Sequence, residues 1–124
     1  MPQFVILEHD WPELHYDFML EHEGVLLTWR LPLLPELDQP SEFSAERIFD
    51  HRLHYLTYQG SVSGGRGAVR RRMQGSYSWL VPPTSDAQDD VDCWEIEATA
   101  DDGQSACITC ANAAGLMRFF VRPI

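Results

Sequence analysis

Apolar and polar residues alternate with a period of two along most of the chain, as strands with one buried face require. Between residues 14 and 21, Leu14, Tyr16, Phe18 and Leu20 share one face, while His15, Asp17, Met19 and Glu21 share the other. A branched apolar run over 3–8 precedes this segment, and Glu23-Gly24 turns it toward a hairpin partner at 25–31. Pro32, Pro35 and Pro40 then rule out a strand interior. Alternation returns over 51–58, with His51, Leu53, Tyr55 and Thr57 on one face, before a glycine-rich bend at 60–67. Further strands are predicted over 68–73, 76–81, 93–99, 105–110 and 116–121, separated by Gln74-Gly75, an acidic loop over 82–92, Asp101-Asp102-Gly103 and Ala114-Gly115. The 82–92 loop is predicted to be the most flexible segment.

About eight short, mostly antiparallel strands with tight connections predict an all-β fold, either barrel or sandwich. Several strands carry polar residues on both faces, which favours a single compact β-barrel with a polar, metal-binding cavity over a dry sandwich core. The 124 residues make one domain, 1–124, long enough to bury a core without disulfides or structural metals. No apolar run approaches the ~18 residues of a membrane span. Met1-Pro2-Gln3 leads straight into the first strand with no room for a signal segment, so a cytoplasmic location without membrane contact is expected.

The net charge of −10 argues against a protein that coats nucleic acid through its overall field. Arg66, Arg70, Arg71 and Arg72 nevertheless cluster, and such a patch is compatible with gripping one nucleic-acid end or with a solvated face. All nine basic residues are arginine, which excludes any lysine nucleophile, Schiff base or P-loop lysine. Cys107 and Cys110 have C-x-x-C spacing, but on a strand positions i and i+3 point to opposite faces. With Cys93 they are read as buried core thiols, not as a zinc or redox pair.

Four of the five histidines fall in two segments, His9 to Glu21 and Asp50 to Tyr55, beside aspartates and tyrosines. Neutral imidazole plus carboxylate is a ligand set that divalent metals accept. His15 and Asp17 share a strand face, His9 precedes them closely, and His51 and Tyr55 share a face in the second segment. Pairing the two faces yields two or three imidazoles, one carboxylate and a phenol around one cavity, with room left for water and substrate. His22, beside a turn, and His54, pointing away from His51, are expected at the surface.

His9, His15-Tyr16-Asp17, Leu20-Glu21, Gly24-Val25-Leu26-Leu27-Thr28-Trp29, Asp50-His51, Leu53, Tyr55, Tyr58 and Gly60 together form a long ordered motif. It resembles the 3′-phosphoesterase domain of bacterial DNA ligase D and its stand-alone relatives, from about Phe4 to Gly75. The resemblance implies a compact β-barrel that removes a 3′-terminal ribonucleotide, then a 3′-phosphate, from DNA ends with manganese, leaving a 3′-hydroxyl. Zinc or another divalent ion would suit the same ligands. It further implies His9, Asp17 and His51 as metal ligands. His15 would contact the scissile phosphate as general acid, and Tyr55 would hydrogen-bond a phosphate oxygen or water on the metal. Expected partners are nucleic-acid 3′ ends, DNA or RNA–DNA, and a DNA repair ligase or polymerase.

The chain departs from the family pattern where phosphate-neutralising arginines belong: Met19 and Phe43 stand at those positions, and Pro32-Leu33-Leu34 replaces a P-K-G. Arg30, Arg47 and Arg66 are candidate replacements, with Arg66 ranked first because its glycine bend allows close approach to an anion. Two other readings compete. One is a degenerate, non-catalytic barrel that binds a nucleic-acid end or repair partner. The other is a 2-His-1-carboxylate iron oxygenase built on His15, Asp17 and His51, with Arg118 or Arg122 as its oxoacid-binding arginine.

Overall fold

A computed structural model describes residues 1–83, 93–113 and 116–124 of the chain, so the acidic loop from residue 84 onward and the turn expected at 114–115 lie outside the described residues. Among the described residues, ten strands account for nearly all regular structure: β1 (Gln3–His9), β2 (His15–His22), β3 (Val25–Leu31), β4 (Ser41–Ser44), β5 (Glu46–His51), β6 (Gly60–Ser61), β7 (Ala68–Val81), β8 (Trp94–Ala100), β9 (Ser105–Ala113) and β10 (Leu116–Pro123). They form one antiparallel sheet in the order β4-β10-β9-β8-β7-β1-β2-β3-β5, with β6 added on β7. Among the described residues no helix is long and apolar enough to cross a membrane.

The fold is all-β as expected, but its hydrogen-bonded ladder is not closed into a barrel. The two edge strands, β4 and β5, are consecutive in the chain and separated only by Ala45. One half of this segment pairs with β10 and the other with β3, so the ladder breaks where the chain switches edges.

The interior also differs from the polar cavity expected. One sheet face buries Phe4, Phe18, Trp29, Trp94, Phe119 and their aliphatic neighbours in a single dry core. Trp29 and Trp94 lie 5.0 Å apart by ring centroid, and Phe18 meets Phe119 edge-on at 5.3 Å. Truncating one such ring typically costs about 3–5 kcal/mol. The polar residues read as cavity-lining belong to the opposite face. There Val5, Leu7, Met19, Leu26 and Val69 form a second, smaller cluster, covered by Tyr55, Leu56, Tyr58 and Val62.

The alternation over β2 is reproduced: Phe18 and Leu20 enter the main core while Asp17 and Met19 face the other way. The strand predicted over 51–58 is not formed. Only His51 belongs to β5, and Leu53–Leu56 is a short 3₁₀ turn with no fully buried residue. A short apolar run is satisfied by either geometry when it merely caps a sheet. The break predicted at Gln74-Gly75 is absent, since β7 runs through it unbroken. A Cβ on Gly75 would lie 2.0 Å from the Thr99 carbonyl oxygen, so this glycine admits the neighbouring strand β8 instead of marking a turn.

Of the cysteines, Cys110 lies in the core and Cys107 is half-buried, but Cys93 is exposed just ahead of β8, correcting the expectation of three core thiols. On the core side of the sheet, the Tyr77 hydroxyl donates to the Glu21 carbonyl at 2.6 Å.

Candidate metal centre

The β1–β2 hairpin places His9 directly opposite His15, and Leu7 opposite Asp17. Directly opposed residues share a face, and a period of two puts Asp17 beside His15 on it. The two imidazoles and the carboxylate therefore converge on the smaller-cluster side of the sheet, with ligand atoms all within 4.8 Å of one another. Asp17 Oδ1 lies 3.3 Å from His15 Nε2, and Asp17 Oδ2 lies 3.8 Å from His9 Nδ1. Asp17 is only 3% exposed, and a carboxylate so buried needs cationic compensation. Yet Asp17 Oδ1 and His15 Nε2 are sealed from solvent and complete no hydrogen bond; their contact is an ion pair of marginal geometry.

Backbone carbonyls orient each ring. His9 Nε2 lies 2.8 Å from the Arg66 oxygen, His15 Nδ1 2.8 Å from the Glu13 oxygen, and His51 Nδ1 3.1 Å from the Phe49 oxygen. A carbonyl only accepts, so these nitrogens carry the proton. In the neutral rings the other nitrogen, His9 Nδ1 and His51 Nε2 among them, is left with its lone pair free to ligate. Metal-binding histidines are characteristically held this way by an outer hydrogen bond.

His51 ends β5 and lines the same cavity, about 410 Å³ in volume, as His9, Asp17, Arg30, Tyr55 and Arg66. Burial lowers the His51 pKa, partly opposed by the charge of Asp17, and so favours the neutral, ligating form. His15 behaves oppositely: its side-chain contact with Asp17 raises its pKa against the effect of burial. The rings of Tyr55 and His51 meet edge-on at 5.6 Å despite the loss of the predicted strand, because the 3₁₀ turn folds Tyr55 back over the site. His54 is exposed as expected, whereas His22, beside Glu23 at the turn, is half-buried with its ring edge-on to Trp79 at 5.5 Å.

Arg66 lines the cavity, but its guanidinium is tied to its own loop through the Ser63 oxygen at 2.7 Å. Its carbonyl is what reaches His9. Two residues not singled out from sequence hold that carbonyl in place. Gly67 adopts φ +73°, and a Cβ there would lie 2.2 Å from Asp10 Oδ1, which itself accepts from the Ala68 N–H at 2.9 Å. The glycine-rich bend was the available signal, and its visible contact with the site is the Arg66 carbonyl on His9. The arginine cluster is also less free than its sequence suggests, since Arg70 and Arg72 share Glu8 and Arg71 donates to the Thr57 carbonyl.

The model of the DNA ligase D 3′-phosphoesterase domain family matches residues 7–105, most of the chain and all of these site residues. The chain belongs to that family. A multifunctional non-homologous end joining protein LigD of Mycolicibacterium smegmatis is 36% identical over 95 residues, covering 71% of this chain and 12% of the relative. Its counterparts in Pseudomonas aeruginosa and Mycobacterium bovis are 38% and 41% identical over 63 residues, about half of this chain and 8% of theirs. The chain thus spans roughly a tenth of the length of the curated relatives it matches.

Within the 3′-phosphoesterase family resemblance, the two departures are now located. Met19 is buried against the smaller cluster at the cavity, and Phe43 is buried on β4 against Phe119. Neither position offers a cation.

Proposed function

We propose that this chain is a single-domain, manganese-dependent phosphoesterase that removes 3′-terminal ribonucleotides and 3′-phosphates from DNA ends, leaving a 3′-hydroxyl. Membership of the 3′-phosphoesterase family supports an end-processing reaction in DNA repair. The observation that carries the reading is the cluster of His9, His15 and Asp17, whose ligand atoms lie within 4.8 Å of one another, beside a cavity that His51 also lines. His9 Nδ1, Asp17 and His51 Nε2 would hold the ion, and nitrogen–oxygen donors of this kind suit manganese and also zinc. A divalent ion bound there polarises a phosphoryl oxygen and lowers the pKa of water.

The remaining roles follow from the chain's own groups. His15 has Nδ1–H fixed on the Glu13 carbonyl, and its contact with Asp17 raises its pKa against the effect of burial, which favours the protonated ring. The general-acid role toward the leaving oxygen is assigned to this ring and requires its Asp17 contact to open, since Nε2 is sealed from solvent and His15 does not line the cavity. Tyr55 supplies a hydroxyl at the same cavity to hydrogen-bond a phosphate oxygen. Arg66 acts mainly through its carbonyl; its side chain would have to leave Ser63 to reach an anion. This role implies nucleic-acid 3′ ends as partners, a repair ligase or polymerase downstream, and the cytoplasmic location expected above.

The test is a 5′-labelled DNA strand ending in a 3′-phosphate or a 3′-ribonucleotide, incubated with manganese. Conversion to a 3′-hydroxyl end, abolished by chelation and by His9→Ala or His51→Ala, is expected. Bound metal without turnover of either end would reject it. Met19 and Phe43 favour a second reading, a non-catalytic member that binds such ends tightly and salt-sensitively. The oxygenase reading loses its arginines: Arg118 pairs with Glu42 and Arg122 with Glu95, and neither lines the cavity.

A further inference from the structure

We propose that Arg30 is the residue that grips the substrate's phosphate, replacing the cations missing at positions 19 and 43. The inference depends on the phosphoesterase reading only for the identity of the anion.

Its basis is a survey of the nine arginines. Carboxylates hold Arg47, Arg70, Arg72, Arg118 and Arg122, and loop carbonyls hold Arg66 and Arg71. Among the described arginines, Arg30 and Arg52 alone have side chains with neither a hydrogen bond nor an ion pair, and both line the metal-site cavity. They differ in setting. Arg52 is exposed to solvent on the segment between β5 and the 3₁₀ turn. Arg30 projects from within β3, and its Nε is buried with no acceptor. A buried charged donor without a partner is destabilising unless something supplies the acceptor.

Asp17 does not supply it. Arg30 stands opposite Asp17 in the β2–β3 register, yet no ion pair forms, because the Asp17 oxygens turn to His9 and His15. The other nearby candidate is also occupied. Arg47 lies over the Trp29 ring at 5.1 Å and donates to Asp50 and to the Thr28 carbonyl. Arg30 therefore brings a guanidinium without a protein partner to the cavity that the proposed metal ligands His9, Asp17 and His51 also line. The two Nη–H groups at the end of a guanidinium form a parallel pair of donors that matches two oxygens of a phosphate, while the buried Nε keeps the plane fixed. In a chain of net charge −10, a fixed cation at this point is what admits an anion.

The experiment uses the manganese-loaded chain 1–124, with inorganic phosphate binding measured by calorimetry and 3′-phosphate turnover measured separately. Arg30→Gln and Arg30→Met are expected to weaken phosphate binding by about tenfold or more and to raise KM, with manganese affinity retained, as for loss of a charge-assisted bidentate contact. Arg52→Gln is expected to bind phosphate as the wild type does. In the unmodified protein, phosphate should shift the Arg30 Nε–H resonance, a readout that no folding defect in a variant can mimic.

Phosphate binding within twofold of wild type in either folded Arg30 variant, or a phosphate-induced shift at Arg66 or Arg52 with none at Arg30, would overturn the proposal. Phosphate bound through Arg30 without cleavage of any 3′-blocked end would uphold it and reject the phosphoesterase reading. Cleavage that is indifferent to Arg30 would do the reverse.

Discussion

His15 Nε2 lies 3.3 Å from Asp17 Oδ1 in a pocket nearly sealed from solvent, while His51 lines the same cavity in an environment that disfavours its charge. The two histidines therefore couple to pH in opposite senses. The His15 pKa is raised above 6.5, so the folded state binds more protons than the unfolded one. The stability this contributes is full below 6.5 and is lost as pH rises through the folded value. The His51 pKa is lowered below 6.5, so the unfolded state binds more protons, and stability is lost as pH falls from 6.5 toward the folded value.

From these two groups, metal-free protein should be most stable near pH 6.5. Thermal melts of chelated protein across mildly acid to mildly alkaline buffers check this. His51→Gln should remove the loss on the acid side, and His15→Gln the loss on the alkaline side. Parallel profiles for both variants would show that the two rings are not set apart in this way.

His15 and the ligands should separate functionally. His9→Ala and His51→Ala should lower manganese affinity by at least about 100-fold, beyond the 10–100-fold typical of losing an outer-shell partner. His15→Ala and Tyr55→Phe should bind manganese normally while turnover falls by roughly 10²–10⁴-fold, the range for loss of a general acid or an oxyanion donor. Manganese titrations followed by electron paramagnetic resonance distinguish these classes. A collapse of affinity in His15→Ala would make that ring a ligand.

Gly67→Ala tests the outer support of the site. Its φ of +73° and the 2.2 Å approach of a Cβ to Asp10 Oδ1 make alanine strained there. A loss of about 1–3 kcal/mol in stability is expected, together with about 10–100-fold weaker metal binding as the Arg66 carbonyl leaves His9. Denaturant titration and metal calorimetry on the same variant measure both. A stability loss with unchanged metal affinity would uncouple the bend from the site.

Tyr77→Phe probes the fold away from the cavity. Burial, followed by the charge of Glu21, pushes the Tyr77 pKa far up, and its hydroxyl holds the Glu21 carbonyl at 2.6 Å. Removing it should cost about 1–2 kcal/mol in urea melts and leave manganese affinity untouched.

The all-β class and the placement of three candidate side chains on one face were legible in the sequence. Strict alternation over 14–21 places His15 and Asp17 on one face, and hairpin pairing brings His9 across from them, so local periodicity suffices there. Which face is the interior was not legible, because both faces of β1 and β2 bury apolar residues, one in the main core and one under the 52–62 cover. The strands β4 and β5 escaped notice because β4 buries only Phe43 and β5 buries no residue fully, leaving no two-residue signal. Which arginine is unengaged depends on contacts between distant segments, such as Arg72 with Glu8. Spacing along the chain therefore favoured Arg66 where the structure leaves Arg30 free.

Convergence of His9, Asp17 and His51 on one ion underlies the whole account, and a manganese-soaked crystal with anomalous scattering tests it directly. The account predicts one strong anomalous peak bonded to His9 Nδ1, the Asp17 carboxylate and His51 Nε2. A peak that leaves out His51, or the absence of any peak at this cavity under saturating manganese, would contradict it.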